Sequence, residues 1–137
     1  MKFLDGLTEP SYALMRFFAG LFFVQHGTQK LLNFPAEFPY ELNAMSTAAG
    51  WIELVLGLAI AFGLFTRISA FLSSGMSAVG YWMVHGGFGV ANDGDFFPIN
   101  NGGELIALYC FTFLFIACRG AGSYSLDGLI FNKSSTA

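Results

Sequence analysis

The feature that most restricts this chain is a set of four apolar stretches, over residues 12–32, 48–65, 68–84 and 104–118. Each is close to the length of about 20 residues that an α-helix needs to cross a hydrocarbon layer of about 30 Å. In lipid every backbone amide must be hydrogen-bonded within the chain, so such segments form helices. The pattern predicts an all-α, integral membrane four-helix bundle, built as one domain over residues 1–137.

The composition excludes other classes of protein. Hydrophobic residues make up 55% of the sequence and charged residues only 11%, whereas about a quarter of the residues in a soluble domain are charged. So few charges cannot cover the surface of a soluble protein of this size. The net charge is only −3 and the basic residues are scattered, so nucleic acid is not an expected partner.

The basic residues also predict an orientation. Four crossings put both chain ends and the turn near residue 66 on one side, which collects Arg16, Arg67 and Arg119. The opposite side has Lys30 as its basic residue. Because Lys and Arg accumulate on the cytoplasmic side of membrane proteins, we expect both termini in the cytoplasm and the three arginines at lipid phosphates.

Ionisable residues within the apolar stretches indicate a site in the other half of the bundle. A charge inside a membrane is costly and marks a functional site by default. Because the helices alternate in direction, each brings one such residue to the outer leaflet, and Lys30 follows one turn after the first of them. The predicted polar network is His26, Lys30, Glu53, His85 and Glu104.

Glu53 is expected to face other helices, because it shares a helical stripe with Gly50, Gly57 and Ala61, and small residues let helices approach closely in lipid. His26 is its predicted partner. Two interpretations stay open for this pair: a lock that fixes the register of the helices, or a chemical role.

Simpler interpretations apply to the other members of the network. His85 and Glu104 lie near predicted helix ends, where water can solvate them. Lys30 can extend to the interface. A further stripe of Ser69, Ser73 and Ser77 is expected to be a packing face rather than a polar conduit.

Two kinds of ligand suit these residue types. Glu and His side chains bind iron, manganese or zinc in helix bundles, but no Glu here has a His three residues later, so a metal is not expected. A quinone head group needs only one or two hydrogen-bond donors beside aromatic walls. Candidate walls are Phe22, Phe23, Trp51, Trp82, Phe96 and Phe97.

The two cysteines do not form a redox pair in this interpretation. Cys110 and Cys118 are eight residues apart on one predicted helix, a rise of about 12 Å. The Cα atoms of a disulfide lie within about 7 Å of each other. Direct thiol exchange by this chain is therefore not expected.

A pattern of Arg, His-Gly, Gly, Glu-Leu and Arg occurs twice along the chain. It runs from Arg16 through Glu53 to Arg67, and again from Arg67 through Glu104 to Arg119. The spacing from Glu to Arg nearly matches in the two copies, whereas the spacing from Arg to His differs. The repetition is therefore only a weak sign of two related helical hairpins.

Four blocks of the sequence together resemble the DoxX family of small four-helix bacterial membrane proteins. They are "RFFAGLFFVQHGTQKLL", "GWIELVLGLAIAFGLFTRISA", "NGGELIALY" and "GAGSYSLDGLI", in this order. The resemblance covers nearly the whole chain. The motif positions that it carries over are His26, Gly27, Lys30, Glu53, Arg67, Glu104 and Asp127.

The resemblance implies a bacterial inner-membrane location and a link to redox physiology. Relatives include a subunit resembling those of thiosulfate:quinone oxidoreductases, and members associated with oxidative-stress and thiol-detoxifying partners. We therefore expect a multi-pass membrane subunit or accessory protein of a redox system, whose outer polar pocket receives a quinone-like head group. A cytoplasmic-side motif would consist of Arg16, Arg67, Arg119 and Asp127.

The alternative is a structural subunit that packs within a larger membrane complex and has no catalysis of its own. In both cases the expected partners are lipid and other membrane subunits or further copies of the chain. Whether the protein is an enzyme stays open. Transport of a small solute is disfavoured, because no predicted helix is broken in mid-membrane.

Overall fold

A computed structural model describes residues 2–86 and 95–131, and this part of the chain is all-α, as predicted, with no strand. Helix α4 continues directly into a turn of π-helix, Tyr81–His85. The helices are α1 (Lys2–Asp5), α2 (Thr8–Leu32), α3 (Ala44–Phe62), α4 (Thr66–Gly80), α5 (Pro98–Asn101), α6 (Glu104–Arg119) and α7 (Leu126–Phe131).

Each of the four apolar stretches lies on one of the long helices α2, α3, α4 and α6. Helix α2 begins before the apolar stretch, since Pro10 lies in its first turn, where a missing N–H is tolerated. Helix α3 begins at Ala44 because Asn43 and Ser46 form a capping box, with reciprocal hydrogen bonds of 2.9 Å. The capping box therefore extends α3 beyond its apolar core, whereas α2 begins after Leu7 without a side-chain cap.

Helix α3 ends three residues earlier than predicted, at a glycine. Gly63 has φ of 71°, a conformation that other residues rarely adopt. The N–H of Leu64 donates to the carbonyl of Ala59 at 2.8 Å, and that of Gly63 donates to Ile60 at 3.1 Å. These bonds close the helix in a Schellman motif.

Only α3 is, within the described residues, both long and apolar enough by itself to cross a membrane. Helices α4 and α6 have 15 and 16 residues, fewer than the usual crossing length. Large apolar side chains nevertheless cover the outward faces of all four long helices, as at Phe22, Val55, Phe71 and Phe111. An exposed apolar surface of this extent is typical of contact with lipid rather than water.

The four long helices pair as two hairpins. Helix α2 packs along α3, and α4 packs along α6. An aromatic stack joins the hairpins, because Phe23 of α2 packs on Tyr109 and Phe113 of α6, with ring centroids 5.5 and 4.9 Å away. The core of the protein lies around this stack, where Phe113 is fully buried.

The serine stripe of α4 is a packing face, as predicted. Ser69, Ser73 and Ser77 are almost completely buried. The Ser74 hydroxyl donates to the backbone carbonyl of Cys110 at 2.8 Å and so ties α4 to α6. These short side chains let the two helices approach closely.

The backbones of α2 and α3 meet at glycines. A Cβ atom added at Gly20 would lie 2.6 Å from the carbonyl oxygen of Gly57, and one added at Gly27 would lie 2.6 Å from that of Gly50. No side chain fits at either position without separating the helices. The predicted stripe of α3, which includes Ala61, thus faces α2 as expected.

We predict that Gly27→Ala lowers the free energy of unfolding by about 1–3 kcal/mol, because the added methyl group overpacks the contact with Gly50. Gly75 provides the matched control, since an added Cβ there meets no atom within 4 Å. Gly75→Ala should be neutral or stabilising by up to about 1 kcal/mol. Unfolding in mixed micelles, followed by circular dichroism, measures both. Equal stability of the two variants would contradict the close helix contact.

Candidate functional site

Glu53 is the central residue of α3, about 13 Å from each end of the helix. Its side chain is only 9% exposed, which confirms the prediction that it faces other helices. Its Oε1 atom accepts a hydrogen bond from the ammonium group of Lys30. The predicted pairing of Glu53 with His26 is therefore wrong: Lys30 is the partner.

The glycine contact explains why Lys30 reaches this carboxylate. The Cβ of Lys30 lies 3.2 Å from the position of an added Cβ at Gly50. The stem of the lysine therefore rests on a glycine, and its long side chain can follow α3 for one turn to Glu53. Residues three apart on a helix share a face, so Gly50 and Glu53 together present a track for this side chain.

His26 and Tyr109 complete a group that we call the Glu53 cluster, defined as His26, Lys30, Glu53 and Tyr109. The rings of His26 and Tyr109 pack edge to face with centroids 5.9 Å apart. His26 interacts electrostatically with Lys30, and Tyr109 with Glu53. The cluster thus draws residues from α2, α3 and α6.

Tyr109 is not among the residues predicted from the sequence, which are all acidic residues, basic residues or histidines. It is 7% exposed, in the middle of a helix that is otherwise largely apolar. A buried tyrosine usually finds a polar partner for its hydroxyl. A tyrosine within an apolar helix is therefore the signal that could have identified it.

The second carboxylate oxygen of Glu53 can accept a further hydrogen bond. Its Oε2 atom is buried and has no hydrogen-bond partner within the described part of the chain. Leaving a buried acceptor unsatisfied costs about 1–3 kcal/mol, and more for a charged group. A donor that reached this atom would gain a strong, charge-assisted hydrogen bond.

The structure does not bring His85 and Glu104 into the Glu53 cluster. His85, in the π-helical turn, shares a hydrogen bond of 2.9 Å between its Nδ1 atom and the carbonyl of Asn101, and its ring stacks on Tyr81. Glu104 begins α6 with an exposed side chain. His85 thus holds the segment before α6, and Glu104 faces the surroundings of the bundle.

The candidate aromatic walls are also divided: one lies beside the Glu53 cluster and the others do not. Phe23 is buried beside Tyr109, next to the cluster. The other candidates are exposed, and Trp82 contacts Phe96 at the far end of the bundle. Those exposed residues are Phe22, Trp51, Trp82, Phe96 and Phe97.

The opposite end of the bundle holds the four residues of the predicted cytoplasmic-side motif, and we call it the arginine end. Arg16 is 2% exposed. Its Nη1 atom donates to the carbonyls of Ile60 at 2.6 Å and Ala61 at 2.8 Å, and its Nη2 atom to that of Tyr124 at 2.5 Å. Arg16 therefore binds the last turn of α3, whose carbonyls have no further turn of helix to donate to them.

Arg67 does the same for α6. Its Nη1 atom donates to the carbonyls of Ala117 at 2.9 Å and Cys118 at 2.7 Å. In both hairpins the second helix ends against an arginine from the first, and a glycine with positive φ follows, Gly63 or Gly120. The first arginine of each copy of the sequence pattern thus makes the same contact, with the last carbonyls of the second helix of its hairpin.

Asp127 caps α4 from the far end of the chain. Its Oδ1 atom accepts from the N–H of Phe65 at 2.7 Å, and its Oδ2 atom accepts from the N–H and hydroxyl of Thr66 at 2.9 and 2.8 Å. A carboxylate is favourable at this end of a helix, where the N–H groups and the helix dipole are positive. The segment around α7 is thereby held at the turn between the hairpins.

Arg119 completes the arginine end by pairing with Glu9 and lying 4.2 Å above the ring of Tyr12. Hydrogen bonds from the backbone and side chain of Ser123, together with Arg119, hold the pKa of Glu9 below its usual value, against the effect of desolvation. A polar cleft of about 500 Å³ lies here between Arg67, Arg119 and Asp127. Each of these three charges already has a partner within the protein.

Comparison with known proteins identifies the family to which this chain belongs. The family model for DoxX matches residues 11–86. The chain belongs to the DoxX family. A protein of Haemophilus influenzae is 40% identical over 138 residues, which cover 97% of this chain and all of the relative.

A second H. influenzae protein is 30% identical over 131 residues, covering 88% of this chain and 83% of the relative. Both relatives are described only as uncharacterized proteins. No solved structure shows a significant match. This DoxX protein is thus a member of a family of small membrane proteins.

The part that matches the DoxX model contains most of the Glu53 cluster but not its Tyr109. The same part includes Arg16 and Arg67, whereas the helix that Arg67 caps lies outside it. Both thiols of the protein also lie outside, on α6, where Cys110 and Cys118 are free. The matched segment is therefore the first hairpin with α4 and its π-helical turn.

We predict that Lys30→Met lowers the free energy of unfolding by about 3–5 kcal/mol, because it leaves the buried carboxylate of Glu53 without a counter-charge. The double variant Lys30→Met/Glu53→Leu should recover most of that loss, since no buried charge remains. Unfolding in mixed micelles measures the double-mutant cycle. Additive effects of the two substitutions would show that the pair is not coupled.

Proposed function

We propose that this DoxX protein is a membrane subunit or accessory protein of a bacterial redox system, in which the Glu53 cluster contacts a quinone-like head group. The proposal includes four crossings of the inner membrane with both termini in the cytoplasm. The arginine end would then face the cytoplasm, as the distribution of Lys and Arg favours. The Glu53 cluster would lie deeper, within the bilayer.

The apolar outer surface supports this topology. Helix α3 is long and apolar enough to cross a membrane by itself, and α2 and α4, the long helices before and after it in sequence, both pack against it. Helices α4 and α6 are shorter, but α4 gains a further turn from the π-helical segment Tyr81–His85. Short spans are accommodated by local thinning of the bilayer at modest cost.

The observation that carries the functional proposal is the unsatisfied Oε2 atom of Glu53. A quinol head group offers a hydroxyl donor for this oxygen, and a quinone offers a carbonyl acceptor for Lys30 or His26. The same cluster therefore has complementary groups for both redox forms of one ligand. Phe23 and Tyr109, whose rings pack at an angle of 59° with centroids 5.5 Å apart, provide aromatic walls for the ring.

The roles of the residues follow from their chemistry. A bound quinone supplies an acceptor of electrons and protons within the bilayer. Lys30 would hold the carboxylate of Glu53 in place, and Glu53 would accept or release a proton at its open oxygen. His26 would add a second titratable group between this oxygen and the end of α2.

The test compares Glu53→Gln and His26→Ala with the control Glu104→Gln, whose carboxylate is exposed and outside the cluster. In proteoliposomes of a Trp82→Phe background, which removes the other tryptophan, a short-chain benzoquinone should quench the fluorescence of Trp51, two residues from Glu53 on α3. We predict that each cluster variant weakens quinone binding at least about tenfold, because each removes one hydrogen bond to the head group. Binding unchanged in Glu53→Gln would refute the proposal.

A second candidate function is a structural subunit of a larger membrane complex, in which the Lys30–Glu53 pair only locks the helices. The specific observation that favours it is the position of this pair at the glycine contact of α2 and α3, beside Gly27 and Gly50. A buried polar pair at such a contact can fix the register of two helices. It needs no ligand.

Purification in a mild detergent separates this candidate from the first. A structural subunit should co-purify at fixed stoichiometry with a large membrane complex, and Glu53→Gln should release it by loosening the hairpin. Recovery of all the protein as a lone species that is active in liposomes would rule this function out. The control Gly75→Ala should leave any such complex intact.

A further inference from the structure

Helix α7 presents an apolar face away from the rest of the protein. Four of its six residues are large and apolar, and its one charged residue is Asp127. Leu126, Leu129 and Ile130 are three and four residues apart, so they share one face of the helix. All three side chains are exposed. A contiguous exposed face of this kind marks a site of interaction.

Asp127 ties α7 to the turn between α3 and α4. Its N–H donates to the carbonyl of Gly63 at 2.8 Å, and its carboxylate accepts from the N–H groups of Phe65 and Thr66 at 2.7 and 2.9 Å. Phe65 has φ of 45°, which a bulky residue rarely adopts. The bonds to Asp127 therefore fix both the position of α7 and the conformation of the turn.

The apolar face of α7 continues onto the outward surface of the bundle at this turn. The rings of Phe131 and Phe65 pack with centroids 6.0 Å apart, and both side chains are exposed. Phe62 ends α3 and Ile68 lies in the first turn of α4, and both of these are exposed as well. Apolar side chains thus run from the outward faces of α3 and α4, which are suited to lipid, onto α7.

The hydrogen bonds of Asp127 also set the depth of α7. Helix α3 is, among the described helices, the one long and apolar enough to cross a membrane by itself, and Phe62 is its last residue. Gly63, which accepts the N–H of Asp127, follows directly, so α7 begins at the level where this crossing ends. This step rests on the proposed crossing of the membrane and is independent of the quinone.

The other side of α7 faces the polar cleft at the arginine end. Asp127, Gly128 and Phe131 line this cleft together with Arg67 and Arg119. An amphipathic helix at a membrane lies in the plane of the interface, with its apolar face in the outermost acyl chains and its polar side toward the head groups. Basic residues beside that polar side are attracted by the anionic lipids of the cytoplasmic leaflet.

We propose that α7 is an interfacial helix, which lies in the head-group layer of the cytoplasmic leaflet with Leu126, Leu129 and Ile130 among the acyl chains. Asp127 holds the helix in this layer through its bonds to the turn, so six residues suffice without a strong affinity for lipid. The bilayer is the occupant that matches the apolar face, because this face is continuous with the lipid-facing surface of α3 and α4 and begins at the same depth.

The fluorescence of a single tryptophan measures where this face lies. Leu129→Trp and Ile130→Trp, each in a Trp51→Phe/Trp82→Phe background, are reconstituted with phosphatidylcholine that carries bromine either near the head group or near the end of the acyl chain. Because an interfacial helix inserts only about 5–10 Å, the shallow bromine should quench both probes at least about twofold more than the deep bromine. Acrylamide in the water should quench both probes only weakly.

Ala121→Trp in the same background is the matched control at this end of the protein, because Ala121 lines the polar cleft. Its tryptophan should be quenched strongly by acrylamide and only weakly by either bromine. Circular dichroism during thermal unfolding checks that all three variants fold.

The native Trp51 separates a failure of this inference from a failure of the proposed crossing. Trp51 is exposed on α3, so brominated lipid should quench it in the Trp82→Phe protein. If it does, strong acrylamide quenching of both α7 probes would overturn the interfacial helix and leave the crossing intact. Protection of both probes from bromine and acrylamide alike would also overturn it, since protein would then cover α7. Absence of bromine quenching at Trp51 would refute the crossing and the interfacial helix together.

Discussion

The last carbonyls of a helix have no partner within the helix, and in a membrane they have little water to bind. In this protein arginines bind them. Arg16 binds the end of α3 and Arg67 the end of α6, and each arginine comes from the other helix of the same hairpin. This interaction fixes how far each pair of helices is offset along its axis. The turns that follow, at Gly63 and Gly120, take the positive φ that such close approach needs.

The offset then determines the site. With Arg16 at the last turn of α3, Gly20 and Gly27 fall opposite Gly57 and Gly50, and the two backbones meet. Because of this close contact the stem of Lys30 rests on Gly50, and its ammonium group reaches Glu53. The polar pair in the middle of the bundle is thus a consequence of helix contacts at the arginine end.

The second hairpin repeats the device with different packing. Serines rather than glycines line its contact, since Ser73 and Ser77 are buried on α4 and Ser74 binds α6. Its own glutamate, Glu104, lies exposed at the start of α6 instead of in the middle. The two hairpins therefore share the arginine that binds the end of their second helix but differ in the position of their glutamate. Glu53 is buried in the first hairpin, whereas Glu104 of the second is exposed.

The sequence by itself determined the helices, because apolar stretches, glycine ends and capping residues act locally. It also determined which faces are buried: a stripe of Gly50, Glu53 and Gly57 can only face another helix. Such periodicity says nothing about which residue of the neighbouring helix lies opposite. The choice of Lys30 over His26 and the position of Tyr109 near Glu53 depend on the axial offset between helices. Only the tertiary structure decided that offset, because it is set by the contacts of Arg16 and Arg67 with carbonyls far away in the chain.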